Sequence, residues 1–512
     1  MSTRVEEFFS IDEKTSHSKI AELSITYLLQ FDDDSLSLTL EMLDSMPLAQ
    51  YAAEHWIDHA KSGGMDSSVL QLILHLFTLE SAPFKNWIRM HNIEMFWHGS
   101  MDFGKEDFGS PLYYSSLAGM QEASACLLQI ENPNAKGGIF GNPLQAASYI
   151  GNEPIVKLLL QNGAEVNAEG GAYGNALQAA SYVGNEAVVK LLLKNGAEVN
   201  VEGGQYGNAL QAASFRGNEA ILRMLFENGA EVNAEGGEYG NALQAASCIG
   251  NEQIVKLLLE NGAEVNAEGG QYGNALQAAS YNGNEAIVKM LLENGSEVNA
   301  EGGRYGNALQ AASYNGNEAI VKMLLEIGAE VNTEGGPYRN ALQAASYSGN
   351  EAIVKMLLEI GAEVNAKGGR YENALQAASY IGNEPIVKLL LQNGAEVNAE
   401  GEQYGNALQA ASYNGNKAIV KMLLENGAEV NAEGGRYGNA LQAASYNGNE
   451  TIVKMLLEIG AEVNTEGGPY RNALQAASYN SNETIVKMLL ENGADMQRED
   501  NMGMHSRQHH TT

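Results

Sequence analysis

Along most of this chain the apolar residues fall into two short clusters separated by a glycine, and then the pattern starts again. In NALQAASYNGNEAIVKMLLENGSEVNAEGG, residues 274–303, Leu276, Ala279, Ile287, Val288, Leu291 and Leu292 lie on one face each of two helix-length stretches. The spacing predicts a first helix over Ala275–Asn282, capped by Asn274 and ended by Gly283, where a left-handed residue costs least. Asn284 then caps a second helix over Glu285–Asn294, with Glu285 at the positive end of the helix dipole, Lys289 four residues on, and Gly295 closing it. The remaining SEVNAEGGRYG is too polar for a core helix and reads as an extended turn or hairpin. Neither helix is long enough to stand alone in water. Their apolar faces must be buried against neighbouring copies, and small Ala278 and Ala279 permit a close approach.

The period is 33 residues, carried by Tyr173, Tyr206, Tyr239, Tyr272, Tyr305, Tyr338, Tyr371, Tyr404, Tyr437 and Tyr470, with Phe140 in the same place one unit earlier. A weaker copy, FGSPLYYSSLAGMQEASACLLQIENPNAKGG from Phe108, fits with one residue deleted and brings the array to twelve units. At the roughly 10 Å separation of packed helices, twelve units offer a surface about 120 Å long.

A helix-turn-helix and extended turn repeating at this length resembles the ankyrin repeat. The motifs that carry the resemblance are NALQAAS where the family usually has TPLHxAA, GNEAIVKMLL where it has Gly-x-x-x-x-Val-x-x-Leu-Leu, and NGAEVNAEGG where it has Gly-Ala-x-x-Asn. The implied fold is an all-α ankyrin-repeat solenoid, preceded here by a small helical domain. Gly270 and Tyr272 stand where the family's pattern has an Asp and a Gly, and Gln277 replaces its His. The finger loop is therefore expected to use different turn chemistry.

Before the array, Ile20, Leu23, Tyr27, Leu28 and Phe31 follow helical spacing, as do Tyr51, Ala52, His55 and Trp56, and later Val69, Leu72, Ile73, Leu76 and Phe77. SHSKIAELSITYLLQFDD followed by PLAQYAAEHWIDHAKSGG resembles the helical region after the NACHT nucleotide-switch domain of fungal signalling NTPases. That resemblance implies the C-terminal sensing half of such a receptor. A plainer reading makes these helices a cap on the N-terminal end of the solenoid. No stretch reads G-x-x-x-x-G-K-[ST], so hydrolysis of ATP or GTP is not expected of this polypeptide. The expected organisation is a helical domain over 1–107, twelve repeats over 108–496 and a disordered polar tail over 497–512.

Charge narrows the partners. Lys and Arg total 30 against 63 Asp and Glu, a formal net charge of -33, and the cations are scattered. Nucleic acid and anionic membrane surfaces are therefore poor partners. The opening MSTRVEEFFS lacks the basic and apolar regions of a secretory signal, and no apolar run reaches membrane-spanning length. The protein reads as intracellular, in the cytoplasm with the nucleus also open. Cys126 and Cys248 lie four units apart, too far for a disulfide.

Catalytic chemistry is hard to assemble. All nine histidines lie outside the regular units. His55 and His59 sit in HWIDH, which lacks the Glu of an H-E-x-x-H zinc site, and His505, His509 and His510 belong to the polar tail. Glycine-rich GGQYGN could present N–H groups to an anion, but no cation recurs beside it, so a turn is the better reading. Glu297 and Glu301 recur in register, and identical surroundings do not separate an acid from a base. No catalytic, cofactor or metal site is expected.

Function is expected where the copies differ. The residue before the loop Tyr includes Gln205, Glu238, Gln271, Arg304, Arg370, Gln403 and Arg436; the residue ending the first helix includes Arg216 and Asn282. Tyr281, Tyr314, Tyr347, Tyr380, Tyr413 and Tyr446 border the second track. The ankyrin resemblance places both tracks on a concave surface that binds a protein partner, and rows of Tyr suit an interface. Two alternatives stay open: the Tyr rows pack between repeats, or the array is a spacer. An enzyme with its site in the first hundred residues is a third.

Overall fold

The computed structural model describes residues 12–33, 46–78, 81–91, 93 and 108–495. The tail carrying His505, His509 and His510 lies outside them, as do residues 94–107 before the first repeat. Helices are the regular elements of the described residues, joined by turns that hold only isolated bridges. The chain divides into two compact units, Met1–Gln271 and Tyr272–Thr512.

The first unit begins with α1 (Glu13–Leu28), α2 (Pro47–Gly63), α3 (Ser67–Leu76) and α4 (Ala82–Met90). Asp66 starts α3 by accepting the N–H groups of Ser68 and Val69 at 3.0 Å. The stripe that α1 buries runs through Ala21, Ser24, Ile25 and Leu28. Leu23 and Tyr51, which the spacing places on apolar faces, are instead exposed, because the true contact stripes are offset from them. On α2 that stripe is Ala49, Ala52, Ala53, Trp56, Ile57 and Ala60, and its small residues let α1 approach: a Cβ on Gly63 would lie 2.3 Å from the Ser18 nitrogen. Trp56, Phe77 and Trp87 form an aromatic core with centroids 5.4–5.9 Å apart. Tyr114 of the first repeat closes that core against Phe84 and Trp87, so these helices cover the end of the array.

Each following repeat builds the same pair of helices. In the repeat at Asn274 they span Ala275–Asn282 and Glu285–Glu293. The second is one residue shorter than the spacing predicts, because Asn294 turns its side chain back to the Met290 carbonyl at 2.7 Å and ends the helix. Gly283 is left-handed at φ +85°. Leu276, Ala279, Ile287, Val288 and Leu291 are buried, each Leu, Ile or Val side chain contributing roughly 1.5–3 kcal/mol. Leu292 is only half-buried, since it falls at the edge of the second helix's contact face.

Side chains stitch successive repeats together. Asn317 caps its helix by accepting the Ile320 N–H at 3.0 Å, while its amide donates to the Gly283 carbonyl of the preceding repeat at 3.0 Å. Asn299 accepts the Glu330 N–H at 2.9 Å and donates to the Gly328 carbonyl at 3.3 Å. Equivalent bonds recur, as at Asn167 and Asn365. Each of these asparagines thus ties backbone groups of neighbouring repeats together, which accounts for its recurrence in the repeat.

Candidate partner-binding face

The finger turns on glycine. Gly302 N–H donates to the Gly306 carbonyl at 2.8 Å, closing a tight loop. Gly303 at φ +61° has no room for a side chain, because a Cβ would lie 2.2 Å from the Tyr272 carbonyl carbon of the preceding finger. Gln277 does the rest. Its side-chain oxygen accepts the Asn274 N–H at 2.8 Å, and its amide donates to Ala300 and Gly306 of the next finger at 2.8 and 2.9 Å. Gly-Gly and a glutamine clamp are the different turn chemistry expected of the loop. Part of the N–H supply that an anion would need is already used: Gly302 N–H bonds within its finger, and Arg370 N–H donates to the Pro337 carbonyl of the finger before it.

Tyrosines fill the angle between the fingers and the first helices. Rings of the loop row and the helix row interleave: Tyr281 lies 4.4 Å from Tyr305, and Tyr314 lies 4.9 Å from Tyr338. Within a row the rings stack at 5.6–6.5 Å from repeat to repeat. The step of about 10 Å expected per repeat therefore does not hold on this face. Fingers bonded to one another and first helices packed through alanine compress it, while the second helices of neighbouring repeats touch much less. Each unit is thus bent towards its finger side. Burial, and after it bonding to a neighbouring hydroxyl, pushes the Tyr470 phenol up to about 12, and Tyr305, Tyr371 and Tyr437 well above the ordinary phenol range.

The ring faces are consumed by this stacking. Tyr281, Tyr314, Tyr347, Tyr380, Tyr413 and Tyr446 are all half-buried, so packing between repeats is observed, and edges and hydroxyls are what they offer outward. The finger track is more exposed. Gln205, Glu238, Arg304, Arg370 and Arg436 are exposed; Gln271 and Gln403 are half-buried. On the helix-end track Arg216 and Asn282 are exposed. Asn315, Asn414 and Asn447, at the place of Asn282 in later repeats, donate to the Tyr281, Tyr380 and Tyr413 carbonyls at 2.5–2.8 Å. That clamp was hidden in the sequence because Ile, Val and Arg occupy the same place elsewhere.

Other places offer less. His17 and His59 meet through their Nδ1 atoms at 2.7 Å, and the Tyr51 hydroxyl reaches His59 Nε2 at 2.8 Å. Burial, then the neighbouring imidazole, pushes His59 below the ordinary imidazole range. Among the described residues no three His, Cys, Asp or Glu side chains converge as metal ligands. A concavity of about 490 Å³ beside Gly119, Glu122, Asn152 and Asn185 is open and polar, unlike an enclosing substrate pocket. Cys126 and Cys248 are not joined in a disulfide.

A family model described as three copies of the ankyrin repeat matches residues 112–203, 144–236, 210–302, 301–368, 342–434 and 433–500. The chain belongs to the ankyrin-repeat family. Among curated proteins, azaphilone pigments biosynthesis cluster protein L of Monascus ruber is 34% identical over 175 residues, 31% of this chain and 36% of that protein. The chain thus spans about a third of that relative's length. Among solved structures, the human ASB11 ankyrin repeat domain is 27% identical at a TM-score of 0.37, covering 42% of this chain and 97% of that domain. Ankyrin repeats are in general protein-interaction modules. No helix among the described residues is long and apolar enough to cross a membrane.

Proposed function

We propose that this ankyrin chain is a non-enzymatic binding protein that holds a protein partner on the finger and first-helix face. The observation that carries the reading is a division of labour within the repeat. Gln277, Asn299 and Asn317 are fixed by bonds to neighbouring repeats, whereas the finger track changes from Arg304 to Pro337 to Arg370 over a recurring backbone. A spacer needs the first set and has no use for the second. The N-terminal motifs extend the reading to the sensing half of a fungal NACHT-type receptor acting in the cytoplasm, and the fungal source of the curated relative supports it.

Affinity capture from fungal extract tests the binding face. Replacing Arg304, Arg370 and Arg436 by Glu should abolish retention of a partner, whereas replacing Lys289, Lys322 and Lys355 of the second helices by Glu should preserve it. Equal retention by both variants contradicts the assignment. For the receptor reading, P-loop codons upstream in the native transcript support it, and an in-frame stop immediately upstream contradicts it.

A further inference from the structure

The second unit's face carries cations that have no ion pair among the described residues. Lys289, Lys322, Lys355, Lys421 and Lys454 reach a Glu four residues on at 3.6–4.0 Å, and Arg339 and Arg471 pair with Glu334 and Glu466. Arg304, Arg370 and Arg436 form no ion pair among the described residues. Each guanidinium lies instead over the ring of the next residue, 5.7–5.9 Å from the centroids of Tyr305, Tyr371 and Tyr437. They are exposed and recur every second repeat, in a chain whose net charge is -33.

Spacing selects what could meet them. The ring rows advance 5.6–6.5 Å per repeat. Same-side residues of an extended strand recur at about 6.6–6.8 Å. An α-helix advances about 5.4 Å per turn, and a polyproline helix about 9.3 Å. An extended strand thus keeps the closest register, placing one side chain on each repeat. Arginines two repeats apart, roughly 12 Å, match every fourth residue of such a strand at about 13 Å. Side chains in between would meet Pro337 and Gln403.

We infer that the finger face of the second unit binds an extended acidic segment of a partner protein, with Asp or Glu at every fourth position set against Arg304, Arg370 and Arg436. Carboxylates would complete charge-assisted hydrogen bonds that the guanidinium groups lack among the described residues. Tyr edges beside them would receive the intervening side chains. This rests on the protein-binding reading above and adds the chemistry of the partner.

The test is fluorescence anisotropy of the full chain with a labelled peptide carrying Glu at every fourth position and Thr or Val between. A second peptide of the same composition has its Glu residues grouped at one end. The spaced peptide should bind, with affinity falling by at least about tenfold in the Arg304→Gln, Arg370→Gln, Arg436→Gln variant and in high salt. Lys289→Gln, Lys322→Gln, Lys355→Gln should leave it unchanged. Equal affinity for the grouped peptide, or equal loss in both triple variants, means a diffuse electrostatic attraction and overturns the inference. No binding of the spaced peptide also overturns it. If the capture experiment above still loses its partner in the face variant, the protein-binding reading survives that failure.

Discussion

The two compact units share one scaffold and differ on the face it presents. In the first, finger backbones form an unbroken ladder: Ala172 donates to Ile139, Gln205 to Ala172, Glu238 to Gln205 and Gln271 to Glu238, at 2.8–3.0 Å. The side chains follow, Gln205 and Gln271 donating to the two oxygens of Glu238 at 3.0 and 3.2 Å. In the second, Pro337 and Pro469 lack the N–H that would reach the finger before them. Bonds there join Arg370 to Pro337 and Arg436 to Gln403. The helix-end track differs in part, with exposed Ile150, Val183 and Ile249 in the first unit and, in the second, clamped Asn315, Asn414 and Asn447 beside one exposed Ile381. The contrast teaches that polar finger groups satisfied sideways have little left for a partner, whereas Arg304, Arg370 and Arg436 of the second unit are exposed and form no ion pair among the described residues.

Breaking the shared scaffold should have the largest effect. Gly303→Ala combines φ +61° with a Cβ 2.2 Å from backbone and should cost about 3 kcal/mol or more in urea unfolding. Gly295→Ala, at φ +88° with open space around it, should cost only about 1 kcal/mol. A smaller difference between them would show that fingers can move apart cheaply. Asn317→Ala removes both a cap and a bond to the preceding repeat, and should lower stability by about 1–2 kcal/mol.

Alkaline pH should separate the units. Phenols titrate near 10 in the unfolded chain, and burial raises those of the loop row, Tyr239 and Tyr470 to about 12. The folded state therefore keeps its protons longer. The stabilisation is fully present below pH 10 and is lost as pH rises through the folded values. Tyr rows run uninterrupted in the second unit, whereas Phe140, Phe215 and Cys248 interrupt them in the first. Urea midpoints should fall between pH 9 and pH 11.5, and Tyr305→Phe, Tyr338→Phe, Tyr371→Phe, which remove loop-row phenols that burial raises, should reduce that fall.

A smaller effect is expected at Glu372, which sits at φ +64° where most repeats have Gly. Glu372→Gly should raise stability by about 0.5 kcal/mol in urea unfolding, the relief of left-handed strain exceeding the added chain entropy.

The helix pair was legible in the sequence because capping asparagines, closing glycines and apolar spacing all point the same way, and the first-helix bounds agree at Ala275 and Asn282. The two tracks were legible as variation. What stayed hidden acts between repeats: one Gln277 side chain reaching two carbonyls of the next finger, or Asn315 reaching back to Tyr281. Periodicity reveals that a residue recurs and not which neighbour it holds. The compressed step along the Tyr rows was hidden for the same reason, since helix packing distance describes the middle of the repeat and the fingers set the spacing at its edge.

The most direct measurement is site-specific photocrosslinking in cells that express the chain. A benzophenone amino acid replaces Arg370 on the finger track in one experiment and Lys355 on the second helix in another. The account predicts a partner adduct at Arg370 and none at Lys355. An adduct at Lys355 alone would place the binding surface on the opposite side of the repeat and contradict it.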